Sequence, residues 1–255
     1  MTKFTALVPA LLRDRFKSLN RIILLMLIAI AMSGIFIWVQ DGADSVGTGL
    51  LSATSFWRSL AFLVAFIRLS MYNEWVYQSD SLRLIPTSDT KLYLSSLSTT
   101  TIGMLYFMVV QAVLHVVLSW ATGNSIIGAM GQIFSAYALS KTQIMGVVLA
   151  TLVIMIASII MIWTTISLIH LIMLSIDAFL PIGRQRIIRG ILYVVISLAI
   201  IRLAAAIFHV YGTLMNGLSL GWGAAFAVLG VFVLVIVLEA VANIFLMKKF
   251  VETAQ

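Results

Sequence analysis

Long apolar runs, separated by shorter polar segments, dominate the pattern of this chain. Six of the runs are long enough to cross the hydrocarbon core of a bilayer, which takes about 20 mostly apolar residues. The sequence therefore predicts an all-α integral membrane protein with six transmembrane helices in one transmembrane domain over 1–255. The predicted spans are 22–39, 50–71, 99–120, 144–170, 190–211 and 222–247.

The basic residues fall almost entirely on one side of these spans. With the N-terminus in the cytoplasm, 12 of the 16 Lys and Arg residues lie in cytoplasmic segments, and the opposite side carries only Lys141. Lys and Arg mark cytoplasmic loops, so we predict a multi-pass cell-membrane protein with both termini in the cytoplasm. This topology and attraction to the lipid bilayer explain the net charge of +7, so no nucleic-acid partner is expected.

Residues 1–21 have the pattern of an amphipathic helix. Arg13, Lys17 and Arg21 repeat at spacing four beside an apolar stripe, and Pro9 suits the first turn of a helix. We expect an interfacial helix in the headgroup plane. The alternative is a basic flank that only anchors the first span. On the opposite side of the membrane, the 121–143 outer loop also has helical spacing.

The 72–98 connection is the longest cytoplasmic loop, and its middle holds a local structural signal. Pro86 disfavours the helical conformation at the preceding residue, so a helix is expected to end there. Thr87 or Ser88 can cap a new helix with Asp89 in its first turn. The loop is therefore predicted to be a helix, a proline elbow and a second helix that continues into the third span.

Motifs for chemistry are missing from the sequence. There is no cysteine, no His-Glu-x-x-His and no Walker-type phosphate loop. The three histidines, His115, His170 and His209, lie in different spans or span ends. We therefore predict no catalytic, metal-binding or cofactor-binding residue on this chain, and we do not expect an enzyme.

Four charged residues fall inside the predicted spans. Arg58 and Arg68 lie near opposite ends of the second span, where their side chains can reach a membrane surface. Arg202 and Glu239 lie deeper, and charges inside a membrane are functional candidates by default. Their predicted depths differ by about 6 Å, so they can form a salt bridge that fixes helix packing. Contact with a substrate is the alternative.

The 74–94 region resembles a known family. Glu74, the run Leu82-Arg83-Leu84-Ile85-Pro86-Thr87-Ser88 and the run Lys91-Leu92-Tyr93-Leu94 are similar to the loop between the second and third spans in membrane subunits of ABC-2 type (type V) ABC transporters. In that family the loop contains a coupling helix, which docks on a separate ATPase. The resemblance implies coupling residues at Glu74, Trp75, Tyr77, Leu82, Arg83, Leu84, Pro86, Asp89 and Lys91.

The resemblance also implies a function. The chain is expected to be a bacterial permease subunit that pairs with a cytoplasmic ABC ATPase and with a second, identical or related permease subunit. ATP and Mg²⁺ would bind to the partner ATPase. Few charges line the spans, so export of a hydrophobic or amphipathic peptide, lipid or drug is favoured, including antimicrobial-peptide export or immunity. The alternatives are an ATP-independent secondary transporter or channel, a membrane scaffold, and an integral-membrane enzyme.

One departure from the family concerns the last outer connection. Many members have two short re-entrant helices between the fifth and sixth spans. Here the connection covers only 212–221, so such helices would have to be taken from the span ends.

Overall fold

The described residues are almost entirely helical. The computed structural model describes residues 4–42, 46–79, 87–122, 141–177, 190–198, 201–202, 205 and 222–251. Within these ranges no strand is present, as the sequence predicts. Contacts divide the chain into two compact units, Met1–Lys141 and Thr142–Gln255. The single transmembrane domain stays a prediction.

Three long helices form the first unit. Helix α1 covers Phe4–Asp41, α2 covers Val46–Gln78 and α3 covers Asp89–Ala121. Each packs against the other two. Their 38, 33 and 33 residues correspond to about 50–57 Å at a rise of 1.5 Å per residue. All three therefore exceed the roughly 30 Å thickness of a hydrocarbon core.

Two glycines suit the passage of the chain from α1 to α2, one directly after α1 and one in the first turn of α2. Gly42 follows α1 with a φ of 79°, a left-handed conformation that glycine adopts without steric cost. Gly49 lies in the first turn of α2 against Ile37 of α1. A Cβ at residue 49 would be 3.0 Å from the Ile37 Cγ2, so the two helices approach closely at this end.

The described part of the second unit contains two long helices and one shorter helical segment. Helix α4 covers Lys141–Asp177, α5 covers 190–198 and α6 covers Trp222–Leu246. A π-helical turn, Met247–Val251, ends the described part of the chain and carries the basic pair predicted for the cytoplasmic tail.

Burial is inverted relative to a water-soluble protein. On α1, Leu25, Met32 and Val39 are 66%, 66% and 71% exposed, whereas Ser96 and Thr100 of α3 are completely buried. Apolar side chains on the outside are stable in lipid, and small hydroxyl side chains allow close helix contact and hydrogen bonding inside. The pattern supports a multi-pass membrane protein.

Five helices of the described residues are long and apolar enough to span a membrane. They correspond to the first four predicted spans and the sixth. For the predicted fifth span, 190–211, residues 190–198 and 201–202 are helical and most of the remainder lies outside the described residues. The count of six spans therefore stays a prediction. Most of the predicted 121–143 outer loop also lies outside them.

The N-terminal segment is helical, and its position in the headgroup plane stays a prediction. Residues 4–21 continue without a break into the first span as one helix, α1, and Pro9 lies inside it. Leu7 and Leu19 are buried, so this part of α1 packs on protein and not only on a membrane surface. Packing against α2 and α3 explains the continuity, because a buried apolar stripe stabilises a helix regardless of what surrounds its other face.

Candidate functional site

Two helix ends lie within the predicted 72–98 loop, and both are well defined. Helix α2 ends at Gln78, and α3 begins at Asp89 with Ser88 as its N-cap residue. The Ser88 carbonyl accepts hydrogen bonds from the amides of Lys91 at 2.9 Å and Leu92 at 3.0 Å. The predicted start of the helix and its continuation into the third span are confirmed. The Ser88 side chain itself makes no capping hydrogen bond.

Several of the predicted coupling residues lie on these two ends. Trp75 is 55% exposed, and Lys91 is also exposed, so both side chains are accessible to a partner. Glu74 and Asp89 are half-buried. The residues at the centre of the predicted loop lie outside the described residues; they are Leu82, Arg83, Leu84 and Pro86.

Tyr77 has a different environment from the one expected of a coupling residue. Its side chain is fully buried, and its ring stacks on that of Tyr93 with centroids 5.4 Å apart. The role of Tyr77 in coupling stays a prediction. Its ring belongs to the contact between α2 and α3, and such aromatic pairs contribute about 0.5–1.5 kcal/mol beyond their buried area.

A buried arginine links α1 to α3 close to the same helix ends. Arg15 is only 1% exposed. Its Nη1 donates to the Ser96 carbonyl at 2.5 Å, to the Thr100 hydroxyl at 2.6 Å and to the Thr99 hydroxyl, while its Nη2 donates to the Ser96 hydroxyl at 2.8 Å. These four acceptors are neutral oxygen atoms, so the guanidinium is stabilised by hydrogen bonds to dipoles.

Asn73 extends this arrangement to α2. Its Oδ1 accepts a hydrogen bond from the Ser96 hydroxyl at 2.6 Å. Arg15, Asn73, Ser96, Thr99 and Thr100 thus form one buried set of side chains, called the Arg15 network below. It ties three helices together close to the end of α2 and the start of α3. Because a buried polar group left without a partner costs about 1–3 kcal/mol, the network fixes the register of the helices.

Sequence reasoning missed the Arg15 network, although two signals for it are present. Arg15 falls off the stripe of Arg13, Lys17 and Arg21, at spacing four from the apolar residue Leu19. The hydroxyl-rich run 95–101 also interrupts the apolar residues at the start of α3. By position along the chain alone, Arg15 is one of the 12 basic residues assigned to the cytoplasmic segments.

A polar groove lies on the first unit at the level of Arg58. Ser55, Arg58, Phe62, Leu63, Gln111 and His115 line this groove, which has a volume of about 560 Å³. The Arg58 Nε donates to the Gln111 Oε1 at 2.9 Å, and the Gln111 Nε2 contacts the Sδ of Met26 at 3.2 Å. The Arg58 side chain is half-buried and bonded to α3, and its reach to a membrane surface stays a prediction.

The three other intramembrane charges have separate environments. Arg68 is exposed, with its guanidinium 5.2 Å from the centroid of the Tyr72 ring. Glu239 accepts hydrogen bonds from the hydroxyls of Thr164 at 2.5 Å and Thr165 at 2.8 Å. Arg202 is exposed and is not a partner of Glu239 in the structure. Glu239 therefore joins α6 to α4, and the expected salt bridge with Arg202 is replaced by two threonine hydroxyls.

The described residues contain no group of three or more His, Cys, Asp or Glu side chains that could hold a metal ion. The two described histidines, His115 and His170, lie on different helices. His115 lines the polar groove, and the His170 Nδ1 lies 3.2 Å from the hydroxyl of Tyr193. His209 lies outside the described residues.

Family models, curated proteins and solved structures give no match to this chain. The functional argument therefore depends on the residues and contacts described above.

Proposed function

We propose that this chain is the membrane-spanning permease subunit of an ATP-driven ABC transporter. Three features support the proposal. Five helices have the length and apolarity of membrane spans. The sequence of 74–94 resembles the coupling loop of ABC-2 type permeases. The two helices that carry this loop are joined by buried contacts close to their ends.

The Arg15 network is the observation that carries the proposal. A loop that receives force from an ATPase must rest on helices that move together, since loosely packed helix ends would absorb the displacement. Arg15 of α1 bonds to Ser96 and Thr100 of α3, and Asn73 of α2 bonds to Ser96. Interdigitated buried groups of this kind have low compressibility and transmit strain. These buried groups would allow α1, α2 and α3 to move together as one rigid body.

The mechanism follows from this arrangement. Two permease subunits pair in the membrane, and two ATPases bind their 72–98 loops. Closure of the ATPases around ATP and Mg²⁺ then displaces the first three helices as a body. In this view Lys91 touches the ATPase together with Leu82, Arg83 and Leu84. Tyr77 holds the helix ends in place and makes no contact with the partner.

The polar groove favours an amphipathic substrate. Arg58, Gln111 and His115 provide polar contacts on one part of the groove, while Phe62 and Leu63 provide an apolar surface beside them. Binding sites for small molecules commonly combine an apolar lining with a few such polar groups. Export of a peptide, lipid or drug, including antimicrobial-peptide export or immunity, agrees with this lining.

Co-purification tests the proposal. The chain is expressed with its neighbouring reading frames, extracted in mild detergent and examined for a bound ABC-class ATPase. Leu84→Asp and Arg83→Glu should each abolish ATPase recovery if 72–98 is the coupling loop. The matched control is Lys248→Glu, the same reversal of an exposed cytoplasmic charge outside the loop. Recovery of folded wild-type protein with no ATPase, or equal loss in the control, contradicts the proposal.

An ATP-independent secondary transporter or channel is the second candidate. It is favoured by one observation, the half-buried Arg58 beside an open groove, because ionisable groups within spans often mark ion or substrate pathways. Substrate flux into sealed proteoliposomes without ATP or an ATPase distinguishes the two functions. A membrane scaffold would give neither flux nor ATPase recovery.

A further inference from the structure

A second cavity lies on the first unit between α1 and α2 and is called the basic cleft here. It has a volume of about 480 Å³, within the range of roughly 300–1,000 Å³ that is usual for ligand sites. Its lining includes Asp14, Lys17, Arg21, Arg68, Tyr72 and Trp75. None of these residues belongs to the polar groove or to the Arg15 network.

The charge in the basic cleft is not balanced. Lys17, Arg21 and Arg68 contribute three positive charges, against one negative charge from Asp14. Within the part of the chain that the structure describes, these three cations form no ion pair, and Arg68 has only its contact with the Tyr72 ring. Cations brought together without counter-charges repel one another, so an anion in the cleft would lower the energy of the arrangement.

The position of the cleft along the helices indicates the source of the anion. Arg21 directly precedes the predicted first span, and Arg68 lies near the predicted inner end of the second. Met71 and Trp75, which also line the cleft, are 56% and 55% exposed and so offer apolar surface beside the cations. A tryptophan at this level is typical of the headgroup region of a membrane.

We propose that the basic cleft binds the phosphate group of an anionic phospholipid of the cytoplasmic leaflet. Lys17, Arg21 and Arg68 donate charge-assisted hydrogen bonds to the phosphate oxygens, and Met71 and Trp75 contact the glycerol and the start of the acyl chains. A phosphate ester is the shared chemistry, and a soluble phosphate is the other possible source. The site does not depend on the transport function, only on α1 and α2 spanning a membrane.

Lipid titration of the full-length protein in mild detergent tests this site. The probes are phosphatidylglycerol, diacylglycerol, which has the acyl chains without the phosphate, and inorganic phosphate as a competitor. Bound lipid is counted by native mass spectrometry. The variant is Lys17→Gln with Arg21→Gln. The control with the same loss of two charges is Lys248→Gln with Lys249→Gln, which lies outside the cleft.

Phosphatidylglycerol should bind about 30-fold more weakly to the cleft variant, because each of the two basic residues removed contributes about 1 kcal/mol. Binding to the control should weaken by less than about threefold. Failure of inorganic phosphate to displace the lipid identifies the lipid as the ligand, whereas displacement at similar concentrations identifies soluble phosphate. Equal weakening in both double variants, or equal binding of diacylglycerol, overturns the proposal. Far-UV circular dichroism of each variant verifies that the helices are retained.

Discussion

Replacing Thr100 by Val tests the Arg15 network most directly. The two side chains have nearly the same shape, and residue 100 is completely buried, so the change removes a hydroxyl without opening a large cavity. That hydroxyl accepts a hydrogen bond from the Arg15 Nη1 at 2.6 Å and donates one to the Ser96 carbonyl at 2.9 Å. The substitution therefore deprives a buried cation of one acceptor.

The expected loss follows mainly from these two bonds, because the third contact of the hydroxyl, with the Asn73 Oδ1, is long at 3.5 Å. A hydrogen bond to a charged group contributes about 1.5–3 kcal/mol, and the local bond to the helix carbonyl contributes little. We expect Thr100→Val to lower the free energy of unfolding by about 2 kcal/mol, or about 4–8 °C in Tm. In an Arg15→Met background the same change should cost about 0.5 kcal/mol, because the cation is gone. The coupling energy between the two residues is then about 1.5 kcal/mol.

Unfolding by SDS in mixed micelles, followed by circular dichroism, measures all four variants of the double-mutant cycle. Thr101→Val is the matched control, since the Thr101 hydroxyl bonds only to the Leu97 carbonyl one turn earlier. A coupling energy below about 0.5 kcal/mol would refute the network, because contacting partners usually couple more strongly. An equal cost for Thr101→Val would show that the effect belongs to the helix and not to Arg15.

Two further predictions use the same unfolding assay. Glu239→Gln leaves one oxygen to accept from Thr164 or Thr165, because an amide nitrogen replaces the other carboxylate oxygen. We expect it to lower the free energy of unfolding by about 1–3 kcal/mol. Unchanged stability would argue against this link between α4 and α6. Gly49→Val should cost about 1–3 kcal/mol through overpacking against Ile37, with partial recovery when Ile37→Ala is added. Gly230→Val should change little, because a Cβ added at residue 230 would meet no atom within 4 Å beyond its own stretch of helix backbone. Equal effects at the two glycines would contradict the close approach of α1 and α2.

Structure that depends on neighbouring residues could be predicted from the sequence, whereas contacts between residues far apart in the chain could not. Apolar length alone identifies most of the spans, since the bilayer imposes a requirement that can be counted along the chain. The start of α3 at Asp89 was also predictable, because capping involves neighbouring residues. The pairing of Arg15 with Ser96 and the burial of Tyr77 against Tyr93 were not, because both depend on which helix faces meet.

The same limit explains the error over Arg202 and Glu239. Predicted depth allowed the two residues to pair, but depth along a span does not give the rotation of a helix about its axis. Thr164 and Thr165 of α4 meet Glu239 instead. Hydroxyl side chains are frequent in membrane helices for reasons of packing, so neither threonine is distinctive in the sequence alone.

The separation of Arg15 from its partners has a consequence for biogenesis. Its acceptors on α3 lie 81–85 residues later in the chain. At a synthesis rate of about 5–20 residues per second, α1 leaves the ribosome roughly 4–17 s before those acceptors exist. During that interval water or lipid headgroups must solvate the guanidinium, which keeps the first half of α1 at the membrane surface. Docking of this segment is therefore a late step of assembly, timed by the arrival of the third helix.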